Sequence, residues 1–143
     1  MSNKKILIVA SDYYKDITNN LIEGAKYVFR SEVEVTLDIH KTNGSYEIPF
    51  IISRNLEKFD GFIALGCIIR GETYHFELIA NEVSRKIMDL SIQSNKPIGF
   101  GIITCENMAQ AKARSNKIAT YPDSQKTNKG IEAAAVAFNY FIR

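Results

Sequence analysis

The stretch Ala64-Leu-Gly-Cys-Ile-Ile-Arg-Gly-Glu-Thr-Tyr-His75 puts an acid/base side chain beside the makings of an anion site. The apolar run from Phe62 to Ile69 reads as a strand, and it breaks at Arg70-Gly71-Glu72-Thr73. A helical pattern then begins with His75 in its opening turn. A helix start presents unpaired backbone N–H groups and the positive end of the helix dipole, which suits phosphate. Thr73 adds a hydroxyl, Gly71 a backbone open to close approach, and His75 a side chain of the type that moves protons near neutrality. Each feature has a plainer reading. A short βα loop with glycine is common, and a lone histidine at a helix start is often only a surface residue. The loop is neither a P-loop nor a G-x-G-x-x-G turn, because those glycine spacings and the Lys-Ser/Thr pair are missing.

Other residues of chemical interest fall near the ends of other strands. Tyr13 and Phe100 are core aromatics or stacking surfaces for a flat ring. Glu47 follows Gly44-Ser45-Tyr46 at a helix start; its carboxylate either complements the helix end or accepts hydrogen bonds from polyol or amine donors. Arg114, Lys126 and Lys129 flank a polar loop, Thr120-Tyr-Pro-Asp-Ser-Gln125, as a solvated basic patch or as charge-assisted donors to phosphate. Cys67 forms a conceivable nucleophile pair with His75, but its setting in an apolar strand favours a buried thiol.

These residues must be positioned by alternating strands and helices. Lys5 to Ala10 is a continuous apolar run, a strand buried on both faces. Ile17, Leu21, Ile22, Ala25, Val28 and Phe29 mark an amphipathic helix over residues 16–30. Val33, Val35, Leu37 and Ile39 alternate with polar residues, a half-buried strand near an edge. A turn at Thr42–Ser45 leads to a helix over 47–58, with Pro49 in its first turn. A strand over 60–69, a helix over 74–93, a strand over 97–105 and a helix over 107–115 follow. The last helix starts near Asn128 and is expected to turn Ile131, Ala135, Phe138 and Ile142 inward. Such alternation implies βαβ units and a four-stranded parallel sheet with helices on both faces. Its site belongs at the carboxyl ends of the strands, in loops starting at Ser11, His40, Ile69 and Thr104.

The bulk figures agree. The 143 residues suit one domain over the whole chain, with 45% hydrophobic and 24% charged residues. A net charge of +2 gives no general case for nucleic acid or for an acidic membrane. Cys67 and Cys105 lie in apolar runs without a C-x-x-C pair, so zinc has little support and a reducing, cytoplasmic setting is expected. The apolar run at Ile6–Ala10 is too short for a signal peptide or a membrane span.

Taken in order, Gly44-Ser-Tyr-Glu-Ile-Pro49, the Ala64–His75 and Phe76–Glu82 stretches, Gly99-Phe-Gly-Ile-Ile-Thr104 and Asn128-Lys-Gly130 resemble the lumazine synthase family over nearly the whole chain. The resemblance implies a three-layer α/β/α sandwich with a flavodoxin-like four-stranded parallel sheet. It implies a transferase of riboflavin biosynthesis that condenses 5-amino-6-(D-ribitylamino)uracil with 3,4-dihydroxy-2-butanone 4-phosphate, without cofactor or metal. It also implies roles. His75 transfers protons. Tyr13, Cys67, Ile68, Ile69 and Phe100 contact the pyrimidine or line its pocket. Ser45, Tyr46 and Glu47 hold the ribityl chain. Gly71, Glu72, Thr73 and Arg114 hold the phosphate, and Lys129 is the lysine of the last helix. Members are homopentamers with sites between subunits, so Tyr13, Glu47 and His75 are expected from one subunit and Phe100 and Arg114 from its neighbour. Three departures stand out: Glu72 in place of a commoner small residue, Tyr74 before the histidine, and a longer, Pro122-containing link between Arg114 and Asn128. In that link Lys126 is favoured over Lys117 as the family's first lysine. A long link is associated with assembly that stops at the pentamer.

Overall fold

The computed structural model describes residues 3–71, 75–118 and 127–142, with the side chains of residues 141 and 142 left out. Glu72, Thr73, Tyr74 and Lys126 therefore lie outside the described residues. The chain runs β1 (Lys4–Ser11), α1 (Lys15–Val28), β2 (Val35–Thr42), a single 3-10 turn (Ser45–Glu47), α2 (Ile48–Arg54), β3 (Gly61–Ile69), α3 (His75–Ser94), β4 (Ile98–Cys105), α4 (Met108–Ala113) and α5 (Lys129–Ala137). A turn of π-helix, Phe138–Ile142, extends α5. The four strands are parallel in the order β2-β1-β3-β4.

Side-chain alternation along the strands builds two cores. On one face Ile6, Ile8, Ile63, Leu65 and Ile103 pack under α1, α4 and α5. On the other, Leu7, Val9, Phe62, Ala64, Ile98 and Ile102 pack under α2 and α3. The result is a three-layer α/β/α sandwich with a flavodoxin-like sheet. The central strand β3 is buried along almost its whole length, which is why it reads as an unbroken apolar run. α3 turns Phe76, Ile79, Ala80, Val83, Ile87 and Leu90 to the sheet, as its spacing predicts. Among the described residues no helix is long and apolar enough to cross a membrane.

Three expectations need correction. Val33 is 95% exposed and lies before β2, which starts at Val35. Only Val35 and Leu37 reach the core under α1; Ile39 is exposed, because β2 is the sheet edge and pairs only with β1. α2 stops at Arg54, four residues early. Asn55 Nδ2 donates to Ile51 O at 2.7 Å, and Lys96 Nζ donates to the carbonyls of Leu56 and Phe59, so side chains satisfy the carbonyls of this turn.

The largest correction concerns α5. Its buried line is Gly130, Ala133, Ala134 and Ala137, whereas Ile131 and Ala135 are half-buried. Phe138 packs on Phe29 with ring centroids 5.9 Å apart, and the Ile142 side chain is outside the described set. The helix is rotated toward its small residues because its backbone lies almost on its neighbours. A Cβ on Gly99 would stand 2.0 Å from Ala133 O, and one on Gly130 would stand 1.9 Å from Leu21 O. Bulky residues inward would hold α5 off both β4 and α1. Gly99→Ala is therefore expected to cost about 1–3 kcal/mol or more of stability through overpacking. Gly71→Ala, where a Cβ would meet nothing within 4 Å among the described residues, should unfold at close to the unaltered urea midpoint.

Candidate active site

The chain leaves β1 for β2 on one side and returns to β3 on the other, so the strand order reverses between β1 and β3. A cavity of about 660 Å³ opens at the carboxyl ends of these two strands. It is lined by Tyr13 and Tyr14 after β1, by Asn43 to Glu47 after β2, by Cys67, Ile68 and Ile69 at the end of β3, and by His75, Leu78, Ile79 and Glu82 from α3. Eight of the expected site residues thus come together: Tyr13, Ser45, Tyr46, Glu47, Cys67, Ile68, Ile69 and His75.

Local structure explains how each is presented. Thr18 Oγ1 donates to Ser11 O at 2.5 Å, tying α1 to the end of β1. Tyr13, just beyond, is 71% exposed, with its ring edge-on to Tyr14 at 4.8 Å between centroids. Thr42 Oγ1 donates to Gly44 O at 2.6 Å and turns the chain into the Ser45–Glu47 turn. Tyr46 and Glu47 are exposed, while Ser45 is only 6% exposed. Gly66 makes room for it, since a Cβ there would sit 2.8 Å from Ser45 Oγ. That hydroxyl has no hydrogen-bond partner among the described residues. A buried hydroxyl without a partner carries a desolvation penalty of roughly 1–3 kcal/mol, which a hydrogen-bonding ligand in the cavity would relieve.

Cys67 lines the cavity as a buried thiol, a setting that disfavours the thiolate a nucleophile needs. Burial pushes its thiol up to about 12, with the neighbouring Cys105 adding to the rise. Burial raises Cys105 too, although the Arg114 guanidinium pulls part of that rise back. The strand setting thus decides between the two readings of Cys67 in favour of an inert thiol.

The remaining candidates lie elsewhere. Phe100, Arg114 and Lys129 line a separate recess of about 250 Å³ that wraps the free edge of β4. Phe100 is 44% exposed there. Arg114 Nη1 donates to Gln110 O at 3.1 Å, and among the described residues no carboxylate lies in ion-pair range of it. Lys129 N donates to Arg114 O at 2.9 Å, so the two basic residues are set side by side, with Lys129 Nζ 2.9 Å from Glu132 Oε1. The single bridge Ser115–Asn128 closes the base of the long link between them. Of the four expected loops, those after β1, β2 and β3 meet at the cavity, and the one after β4 does not. Gly71 follows β3 with no left-handed backbone, so its φ does not demand glycine.

Some residues were missed. Tyr14, Leu78, Ile79 and Glu82 line the cavity without having been singled out. The last three follow His75 at helical spacing, a signal that was legible. Arg70 is the other omission. Its Nε donates to both Glu106 oxygens, at 2.9 and 3.1 Å, its Nη1 pairs with Glu77, and its guanidinium lies 4.4 Å from the centre of the Phe76 ring. Only the fold brings Glu106, at the exit of β4, to this point. The hydrogen bond from Arg70 holds Glu77 below its ordinary 4.5.

The thiol assignment predicts chemistry. With the Cys67 thiol near 12, its thiolate fraction at pH 8 is roughly one part in ten thousand. The folded protein should therefore react with Ellman's reagent far more slowly than an exposed thiol does, and both cysteines should react promptly in denaturant. Fast labelling of the folded protein would overturn the assignment.

Comparison with known proteins points in one direction. The family model described as 6,7-dimethyl-8-ribityllumazine synthase matches residues 3–141. A protein of that name from Agrobacterium fabrum is 42% identical over 142 residues, covering 94% of this chain and 91% of the relative. One from Bartonella henselae is 41% identical over 136 residues (92% and 83%), and one from the archaeon Thermococcus kodakarensis is 37% identical over 135 residues (93% and 81%). With a match along nearly its full length and a cavity at the β1/β3 switch point, this chain belongs to the lumazine synthase family.

Proposed function

We propose that this chain catalyses the condensation of 5-amino-6-(D-ribitylamino)uracil with 3,4-dihydroxy-2-butanone 4-phosphate to 6,7-dimethyl-8-ribityllumazine, the penultimate step of riboflavin biosynthesis. The observation that carries the reading is the switch-point cavity, where an exposed aromatic, a buried hydroxyl with no partner among the described residues, a carboxylate and a histidine face one space. Tyr13 offers a ring to stack on the pyrimidine. Ser45 and Glu47 take the ribityl hydroxyls, and the end of β3 at Cys67–Ile69 borders the heterocycle.

The substrate amine attacks the butanone carbonyl and loses water to form a Schiff base. Phosphate leaves by elimination, the second amine closes the ring, and a further water departs. Each step moves a proton, and His75 on the cavity wall supplies general acid–base catalysis. Both reactants are held in one pocket, so much of the entropic cost of bringing them together is met on binding. Gly71, Thr73, Glu72 and the start of α3 are the proposed phosphate end. Arg114 neutralises the leaving phosphate. Its freedom from a described carboxylate partner suits it to that role, whereas Arg70 is already committed to two. Lys129 stands beside Arg114.

Arg114 and Phe100 line a different recess from His75, so one chain does not complete the site by itself. We infer a homopentamer in which the β4-edge recess of one subunit faces the switch-point cavity of the next. The long link between Arg114 and Asn128 keeps assembly at five subunits. The setting is the cytoplasm, in keeping with two free buried cysteines.

Mixing the two substrates with the protein should yield the absorbance and fluorescence of the lumazine product; no product would sink the assignment. His75→Ala should lower kcat by roughly 10²–10⁴-fold, while Arg114→Ala should raise KM for the butanone phosphate. If sites are shared around a heterologous ring, an equal mixture of the two variants, dissociated and reassembled, should recover roughly a quarter of the wild-type activity, since one neighbour pair in four unites both intact halves. Recovery of none would place both residues in one subunit's site. A native mass near five subunits is expected, and a mass near sixty would exclude the free pentamer.

A further inference from the structure

We propose that Arg70 is a positioning residue for this reaction, clasping the first turn of α3 to the exit of β4 so that His75 keeps its working register. The inference rests on the functional reading above and extends it to a residue that touches no substrate. Beyond the end of β3, Arg70 N still donates to Cys105 O at 2.9 Å, so the strand pairing continues one residue into the loop. From that fixed backbone the side chain reaches two other elements. Nε meets both oxygens of Glu106, and Nη1 meets Glu77. Phe76 supports the guanidinium from below at 4.4 Å and is itself packed on the core under α3. His75, Phe76 and Glu77 are the first three residues of α3. Two of the three are gripped by Arg70, and the third is the proposed proton carrier.

The geometry separates the two arginines near the site. Arg70 faces two carboxylates, so its charge is already met and it is not the cation left over for a phosphate. Among the described residues, Glu77 and Glu106 have no other cation partner. A lysine cannot replace this clasp, because one ammonium on a flexible stem cannot present a planar fork to two carboxylates and a flat face to a ring. All three charged groups are partly exposed, and exposed pairs add little to global stability. The clasp therefore acts on local register and not on whether the protein folds.

Turnover and urea unfolding of Arg70→Gln, Arg70→Lys, Glu77→Gln, Glu106→Gln and the double variant Arg70→Gln/Glu77→Gln test this, with Lys26→Gln on α1 as control. Arg70→Gln should lower kcat/KM roughly ten- to hundred-fold through misplacement, mostly in kcat, with an urea midpoint near that of wild type. Glu77→Gln should move kcat in the same direction. The double variant should be no worse than Arg70→Gln, the non-additivity expected of two halves of one contact. Arg70→Lys should recover only part of the loss. Wild-type kcat in Arg70→Gln would overturn the proposal. So would a rise confined to KM for the butanone phosphate, with both glutamate variants unaffected, since that would make Arg70 a direct phosphate ligand. A kcat loss that tracks the loss of folded protein would also overturn it. If the wild-type protein itself gives no lumazine product, the functional reading fails and takes this inference with it. If the wild type turns over and the variants match it, the clasp alone fails.

Discussion

The side chain of Asn128 joins the C-terminal helix to α1 and to the segment after α4. It is 1% exposed, and it uses its full hydrogen-bonding capacity. Its carbonyl oxygen accepts from the backbone N–H groups of Gly130 and Ile131 at 2.8 and 3.2 Å, capping α5. Its amide nitrogen donates to Asn20 O on α1 at 3.0 Å and to Asn116 O beyond α4 at 2.8 Å. Gly24 leaves the space this requires, for a Cβ there would stand 2.2 Å from Asn128 Oδ1. One amide thus fixes three elements relative to one another. The close seating of α5 on Gly99 and the neighbouring placement of Arg114 and Lys129 both depend on it.

A second constraint comes from the sheet. With β1 and β3 central and parallel, the loops that follow them must part in opposite directions, and the space between them becomes the cavity. The strands beneath are continuous apolar core, so polar chemistry is confined to the loops and to the first turns of the helices. This division gives Ser45 its unusual position: buried by the fold, facing the cavity, and left without a partner by the described residues. The same division leaves Phe100 and Arg114 at the β4 edge, in a recess apart from the cavity.

Much of this was legible from residue patterns. The buried runs of β1 and β3 show as unbroken apolar segments, and the α3 face shows as a clean helical stripe, so the layered fold follows from spacing, whereas the strand order that puts the switch point between β1 and β3 does not. His75 and Glu47 stand out at helix starts after strands, and the family resemblance adds Ser45; the structure brings all three to one cavity. What escaped depends on distance in sequence or on shape. Glu106 is thirty-six positions from Arg70, so no local pattern reveals that clasp. α5 was misphased because periodicity rewards bulky apolar residues, whereas here the backbone approach selects Gly130, Ala133, Ala134 and Ala137. β2 starts two residues later than alternation suggests, at Val35, and leaves Ile39 exposed, because alternation reports which side a residue takes and not how well that side is covered.

The bridge at Ser115–Asn128 has a consequence for how this family can vary. Asn116 reinforces it, with its backbone N–H and its side-chain amide both donating to Thr127 O, at 3.1 and 2.9 Å. The two ends of the link are thereby brought together and held by groups that belong to neither its interior nor its length. For a loop already closed at its base, the entropy of closure grows only logarithmically, about 0.6 kcal/mol for each doubling of length. Residues can be gained or lost between 118 and 127 with little effect on the strands, on Arg114 or on Lys129. The length of the link can therefore drift while the framework at its base stays in place.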